Sequence, residues 1–280
     1  MKVSPRLALL VTLAMIAFAA NSLLCRMALK NTGIDAGSFT TIRIIAGAVV
    51  LWLILYVRGM PRQLLGSWLS ALALFVYAAG FSFAYIRLPT SAGALMLFGA
   101  VQVTMIAYGL WCGERMRSVQ IVGFSAALAG LAYLLLPGLS APPLASSALM
   151  MTAGVAWGIY SLRGKGTDNP IAVTMGNFLR AIPFAALMSA SKIADVSLDV
   201  TGMWYAVVSG GVASGVGYAI WYAALPSLKA TNAATIQLSV PVLAAVGGIV
   251  FLGETITPRL LMSSAGILGG ITIVIMSQKR

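Results

Sequence analysis

Ten stretches of about twenty mostly apolar residues follow one another along the 280-residue chain, at 7–29, 37–57, 67–87, 90–112, 118–136, 145–163, 170–190, 202–224, 229–252 and 258–276, separated by short polar breaks. A helix rises about 1.5 Å per residue, so each stretch can cross roughly 30 Å of hydrocarbon. Lipid offers no partner to backbone N–H and C=O groups, which leaves helices and closed barrels as the only spanning structures. The stretches lack the period-two alternation of barrel strands. The chain is therefore predicted to be an all-α integral membrane protein with ten transmembrane helices. Its composition agrees, with 60% hydrophobic and 9% charged residues, against roughly one quarter charged in a soluble domain.

The formal charge of +12 does not read as a nucleic-acid footprint, because the eighteen Lys and Arg are scattered at helix ends and do not cluster on one face. Their placement reads as topology. With a cytoplasmic N-terminus, Lys2, Arg6, Arg58, Arg62, Arg115, Arg117, Arg163, Lys165, Lys229, Lys279 and Arg280 fall inside, and Arg26, Lys30, Arg87, Lys192 and Arg259 outside, eleven against five. Both termini are expected on the cytoplasmic side of a bacterial inner membrane. Cys25 and Cys112 then lie at opposite faces and cannot form a disulfide. The first twenty residues carry the charge, apolar run and small-residue "AFAA" of a secretory signal. An internal repeat nevertheless requires this segment as its first helix.

That repeat shows in two short motifs. "CGERMRS" closes one apolar run at Cys112 and "LGETITP" closes another at Leu252. A shift of 140 places Gly113-Glu114 on Gly253-Glu254 and Gly130 on Gly270. A shift of 137 places Arg26 on Arg163, Arg43 on Arg180, Gly80 on Gly217, and Tyr85-Leu88-Pro89 on Tyr222-Leu225-Pro226. The chain thus divides into two five-helix copies, 1–136 and 145–276. Five is odd, so the second copy enters the membrane from the opposite side, and the two form an inverted repeat. Each motif is expected to be a scaffold turn. The Gly takes a positive φ at a helix end, and Glu114 or Glu254 sits near the N-terminus of the next helix. The two carboxylates lie on opposite faces and cannot share a catalytic site. Inverted repeats supply two nearly equivalent packings around a midplane site, the architecture of a secondary transporter.

Ten helices in two halves, an Arg in the second helix of each, and "CGE" or "LGE" after the fourth resemble the drug/metabolite transporter superfamily, specifically EamA-type exporters. Stretches such as "NSLLCRMALKNTGIDAGSFTTIRI" and "GNFLRAIPFA" are similar to the YddG-type exporters of aromatic and other neutral amino acids. The resemblance implies a substrate cavity between helices one, three, four, six, eight and nine, with helices five and ten peripheral. Smaller four-helix relatives carry a membrane-embedded Glu in helix one for proton exchange, whereas helix one here has Asn21 and Ser22.

Repeat symmetry gives a separate route to the site. Scaffold groups should match across the copies, while groups holding an asymmetric small molecule should differ. The differing pairs near the midplane are Ala20 with Trp157, Tyr77 with Ser214, Phe81 with Tyr218, and Leu97 with Gln237. Tyr77 and Phe81 share a helix face, as do Ser214 and Tyr218, and Trp157 and Tyr160. With Asn21, Ser22, Gln237 and Ser239 they are candidates to bind an apolar side chain and orient its polar end. Pro241 is expected to kink helix nine and free the Gln237 carbonyl, which Ser239, a water or a ligand would satisfy. Packing of the aromatics into interhelical space is the competing reading. Arg43 and Arg180 could bind a carboxylate or phosphate, but their matched positions favour a scaffold role by snorkelling or helix capping. Gln102 reads as an interhelical hydrogen bond. Gly210, Gly211, Gly215 and Gly217 could make helix eight a hinge, and Gly266 and Gly270 form a close-packing face on helix ten.

The inventory argues against an enzyme. There is no His, no Cys pair on one side, and no acidic cluster for a metal or a general acid-base pair. No metal and no cofactor are expected. All six acidic residues read as loop or helix-end groups, so flux is expected to follow the substrate gradient without proton coupling. The expected function is export of neutral and aromatic amino acids, or similar small amphipathic metabolites, by alternating access. The alternatives are export of drugs or of phosphorylated or nucleotide-linked metabolites, a lipid flippase, or a membrane-embedded lipid enzyme. The expected partners are a small-molecule substrate and the lipid bilayer. The oligomeric state is left open, and a monomer suits the pattern.

Overall fold

The computed structural model describes residues 5–59, 65–113, 115–136, 141–164, 167–191, 193–228 and 236–277. Among them there is no strand. The long helices are α1 (Pro5–Asn31), α2 (Ala36–Val57), α3 (Trp68–Tyr85), α4 (Thr90–Trp111), α5 (Ser118–Leu135), α6 (Leu144–Gly164), α7 (Pro170–Ser191), α8 (Val200–Ser227), α9 (Ser239–Leu252) and α10 (Pro258–Ser277). Eight of these are long and apolar enough to cross a membrane, while α9 has only 14 residues. The molecule is an all-α integral membrane protein.

Local chemistry sets the helix starts. Asp35 accepts a hydrogen bond from the Ser38 amide (2.9 Å), Asn169 from Ala172 (3.1 Å), Asp199 from Gly202 (2.8 Å) and Thr257 from Leu260 (3.1 Å). Each side chain satisfies one of the amides a helix N-terminus leaves open. Gly113 and Gly253 stand just past the ends of α4 and α9 with φ of 91° and 64°. A glycine in this left-handed region ends a helix without a Cβ penalty.

One expectation is corrected. The Glu254 carboxylate does not serve α10, the next helix in sequence. It caps α4 of the other half, accepting from the Thr90 amide (2.7 Å), the Thr90 hydroxyl (3.0 Å) and the Ser91 amide (3.4 Å). Its motif partner Glu114 lies outside the described residues. The interruption expected of Pro241 lies just ahead of α9, after helical residues 236–237. A turn at Leu238 precedes α9, and Pro241 sits in the first helical turn, where no intrahelical N–H is needed. The Ser239 hydroxyl donates to the Ile236 carbonyl (2.7 Å) across that turn. Residues 229–235, the start of the ninth apolar stretch, lie outside the described residues.

Packing places α3 and α4 against α6, α2 against α7 and the middle of α8, and α1 centrally among α3, α4, α8 and α9. Helix α5 packs chiefly on α10, away from this centre. A Cβ on Gly270 would lie 2.3 Å from the Gly123 carbonyl oxygen, and one on Gly130 would lie 2.9 Å from the Ile267 nitrogen. Only glycine lets these backbones meet. The glycines of α8 serve a related purpose. Residues Ser209–Val216 form a π-helical segment, and a Cβ on Gly210 would fall 2.0 Å from the Arg43 carbonyl oxygen.

Cross-helix hydrogen bonds hold both ends of the bundle: at one, Arg163 donates to the Ser70 hydroxyl (3.0 Å) and the Ser67 amide to Asn177 (3.0 Å), and at the other they link α1 to α3 and α9. Arg26 donates to the Tyr85 and Ile86 carbonyls, both at 2.8 Å, Lys30 to Leu252 (3.4 Å), and Asp35 and Ser197 exchange backbone and side-chain bonds at 3.0 Å. The Glu254 cap on α4 belongs to the same end.

Candidate functional site

The cavity at the centre of the bundle has a volume of about 390 Å³, which suits a small molecule. Its walls come from α1, α3, α4, α6 and α8, with Gln237 just ahead of α9. From mid-bundle it reaches the C-terminal ends of α6 and α8, at Gly164 and Leu228. That is the end opposite the Glu254 cap on α4.

Aromatic rings form its inner surface. Trp157 is the hub, with ring centroids 4.8 Å from Tyr77, 5.2 Å from Tyr218 and 5.4 Å from Tyr160. Phe81 lies 5.6 Å from Tyr77, and Phe18 lies 5.8 Å from Tyr218. Such offset and edge contacts are favourable between rings and hold them as a rigid wall.

A polar chain threads this wall. The Ser209 hydroxyl donates to Asn21 Oδ1 (2.6 Å), Asn21 Nδ2 donates to the Tyr77 hydroxyl (3.2 Å), and Arg43 Nη2 donates to the same oxygen (3.0 Å). Arg43 is 2% exposed, and its guanidinium lies 4.8 Å from the Phe81 ring centre and 5.2 Å from that of Tyr77. These are cation–π distances. The snorkelling expected of Arg43 is therefore wrong, because its head group stays in the core. Arg180 instead donates Nη1 to the Leu65 (2.7 Å) and Gly176 (3.1 Å) carbonyls. Residues that match in sequence thus occupy unlike surroundings.

The structure brings Asn21, Ser22, Tyr77, Phe81, Trp157, Tyr218 and Gln237 together on the cavity wall. Tyr160, Ser214 and Ser239 are not on it. Tyr160 stacks behind Trp157, where its hydroxyl accepts from Asn177 Nδ2 (3.5 Å). Ser214 is 1% exposed with no hydrogen-bond partner for its hydroxyl, and Ser239 is bonded to Ile236. Gln102, read from sequence as structural, lines the cavity. Phe18, Phe98, Met105, Trp221 and Tyr222 line it as well and were missed. Phe18 was legible three residues before Asn21 on one helix face. Tyr222 was hidden by the symmetry argument, since its repeat partner Tyr85 assigned both to the scaffold.

Comparison with known proteins bears on what such a cavity serves. The profile of the EamA-like transporter family matches this chain twice, over residues 6–136 and 145–276. An uncharacterised protein of Pseudomonas aeruginosa is 53% identical over 271 residues, covering 96% of this chain and 94% of that protein. The threonine/homoserine exporter RhtA of Escherichia coli is 31% identical over 175 residues, covering 59% of this chain and 58% of that protein. A solved crystal structure superposes with a TM-score of 0.65 over 96% of this chain and 99% of the other, at 19% identity. That likeness extends to the fold alone. The two family matches span nearly all of the apolar helices, and on that ground the chain belongs to the EamA-like transporter family and is a multi-pass membrane transporter, not an enzyme.

Proposed function

We propose that this chain exports neutral and aromatic amino acids, or similar small amphipathic metabolites, by alternating access around the central cavity. The observation that carries the reading is the wall itself. Three aromatic residues from three helices, Tyr77, Trp157 and Tyr218, enclose an apolar volume, and the amides of Asn21, Gln102 and Gln237 supply uncharged polar contacts. An amphipathic zwitterion matches that combination. The name of the relative RhtA, a threonine/homoserine exporter, points to the same class. Cationic drugs fit less well, since among the described residues no Asp or Glu lines the cavity. Phosphorylated metabolites call for converging cations, and among the described residues Arg43 is the Arg that stacks on the wall residues Tyr77 and Phe81.

In this reading 1–136 and 145–276 are inverted five-helix repeats in a bacterial inner membrane. Both termini are cytoplasmic, and the cavity faces the cytoplasm, where an exporter loads. The excess of Lys and Arg on that side supports the orientation. The test is export from intact cells. Cells expressing the chain and loaded with phenylalanine-containing or threonine-containing dipeptides should release the free amino acid faster than cells without it. Equal release across the panel would refute the reading.

A further inference from the structure

Arg43 is a permanently charged group in the core of a membrane protein, and its neighbours are a phenol hydroxyl and two ring faces. The described acidic residues all stand at helix ends or in connections: Asp35, Asp168, Asp195, Asp199 and Glu254. Arg43 Nη1 has no hydrogen-bond partner at all. A buried charge is costly unless it is paired, and a ring face with one neutral hydroxyl compensates only part of that cost.

Tyr77 links this charge to the cavity. Its hydroxyl oxygen accepts from Arg43 on one side and from Asn21 on the other, which uses both lone pairs. The single phenolic proton is then left to donate, and Tyr77 is on the cavity wall. A hydroxyl that accepts from a cation is polarised into a better donor. An ionised carboxylate only accepts hydrogen bonds and carries the charge opposite to that of Arg43.

From this geometry we infer that the Tyr77 hydroxyl, backed by Arg43, takes the carboxylate of the transported solute and makes the substrate class carboxylate-bearing. The inference rests on the amino-acid reading above and names which end of the molecule is recognised. The rings of Trp157 and Tyr218 then meet the substrate's side chain. Arg43 is a positioning residue, acting through Tyr77.

The experiment uses the purified full-length chain and matched pairs of small molecules. Competition against labelled L-phenylalanine in proteoliposomes compares unlabelled L-phenylalanine with L-phenylalaninamide, and thermal stabilisation compares 3-phenylpropionate with its amide. For the wild type the carboxylate member of each pair should act at least about tenfold more strongly. Tyr77→Phe and Arg43→Gln should bring that ratio near one, and Arg43→Lys should restore part of it. Where Arg43→Gln fails to fold, Tyr77→Phe alone decides. Equal action of acid and amide on the wild type, or a ratio that survives Tyr77→Phe, overturns the inference. Stabilisation by 3-phenylpropionate without phenylalanine transport would keep the carboxylate site and refute only the amino-acid reading.

Discussion

Glu254, at the end of α9, and Thr90, at the start of α4, are 164 positions apart in sequence and share two hydrogen bonds, at 2.7 and 3.0 Å. A carboxylate at a helix N-terminus satisfies open amides and opposes the positive end of the helix dipole. The bond also joins one half of the chain to the other at the closed end of the bundle. Glu254→Ala should therefore lower stability by about 1–2 kcal/mol. Glu254→Gln, which keeps an acceptor, should lose less. Thermal unfolding of the detergent-solubilised protein gives the comparison, and a Glu254→Gln variant as stable as the wild type would deny the charge a role.

Adjacent glycines on α10 provide an internal control. A Cβ on Gly270 would lie 2.3 Å from the Gly123 oxygen and 2.7 Å from the Ala127 nitrogen, whereas one on Gly269 would meet nothing within 4 Å. Gly270→Ala should force α5 and α10 apart at a cost of about 1–3 kcal/mol. Gly269→Ala should be neutral or stabilising by up to about 1 kcal/mol, since alanine loses less entropy in a helix. Melting temperatures of the two variants, measured side by side, check the prediction.

Much of this arrangement was legible in the sequence, and the division follows the range of the interactions. Helices and their ends are local, so apolar length, Asp35, Asp199, Gly113 and Gly253 could be read directly. The cavity wall was legible where the repeats differ, as at Trp157, Tyr77 and Tyr218. What stayed hidden depends on register between helices. Nothing in "LGETITP" says that Glu254 reaches α4, and nothing in the match of Arg43 with Arg180 says that Arg43 stacks on Tyr77 and Phe81 while Arg180 donates to the Leu65 and Gly176 carbonyls. The π-helical segment of α8 inserts wider turns between Ser209 and Val216, so spacing of four no longer keeps Ser214 and Tyr218 on one face. Tyr218 reaches the cavity and Ser214 does not.

Asp35 gives the fold a pH dependence of defined sign. Partial burial works to raise its pKa. Hydrogen bonds from Ser38, from the Ser197 amide and from the Gly37 amide outweigh this and hold the carboxyl below the ordinary aspartate range. A group whose folded pKa is depressed stabilises the fold above its unfolded value, near pH 4, and loses that contribution as pH falls through the folded value. The melting temperature should accordingly drop below about pH 4. The part due to Asp35 should be missing from the pH profile of Asp35→Asn, which would already be less stable at neutral pH.

The proposed topology rests on the charge asymmetry and can be checked without a substrate. On a background of Cys25→Ser and Cys112→Ser, Met116→Cys should be shielded from an impermeant thiol reagent in intact cells, and Ile256→Cys should be labelled. The reverse pattern would contradict both the cytoplasmic termini and the inversion of the second repeat.

Ring removal should reshape preference more than folding. Trp157→Ala takes away the ring that bridges Tyr77 and Tyr218, so exchange of phenylalanine should fall at least about tenfold more than exchange of threonine. A uniform fall with a matching loss of melting temperature would return Trp157 to a packing role.

The central claim, that the aromatic cavity carries neutral amino acids, is tested most directly by counterflow into proteoliposomes. Vesicles holding the purified chain and unlabelled L-phenylalanine or L-threonine are diluted into a trace of the labelled amino acid, with and without an imposed pH gradient at clamped potential. The account predicts a transient accumulation of label that requires the protein and the internal amino acid, and no steady uphill uptake from the pH gradient alone. Label uptake no greater than in protein-free vesicles for every neutral amino acid, with exchange of a cationic drug or a sugar phosphate instead, would contradict it.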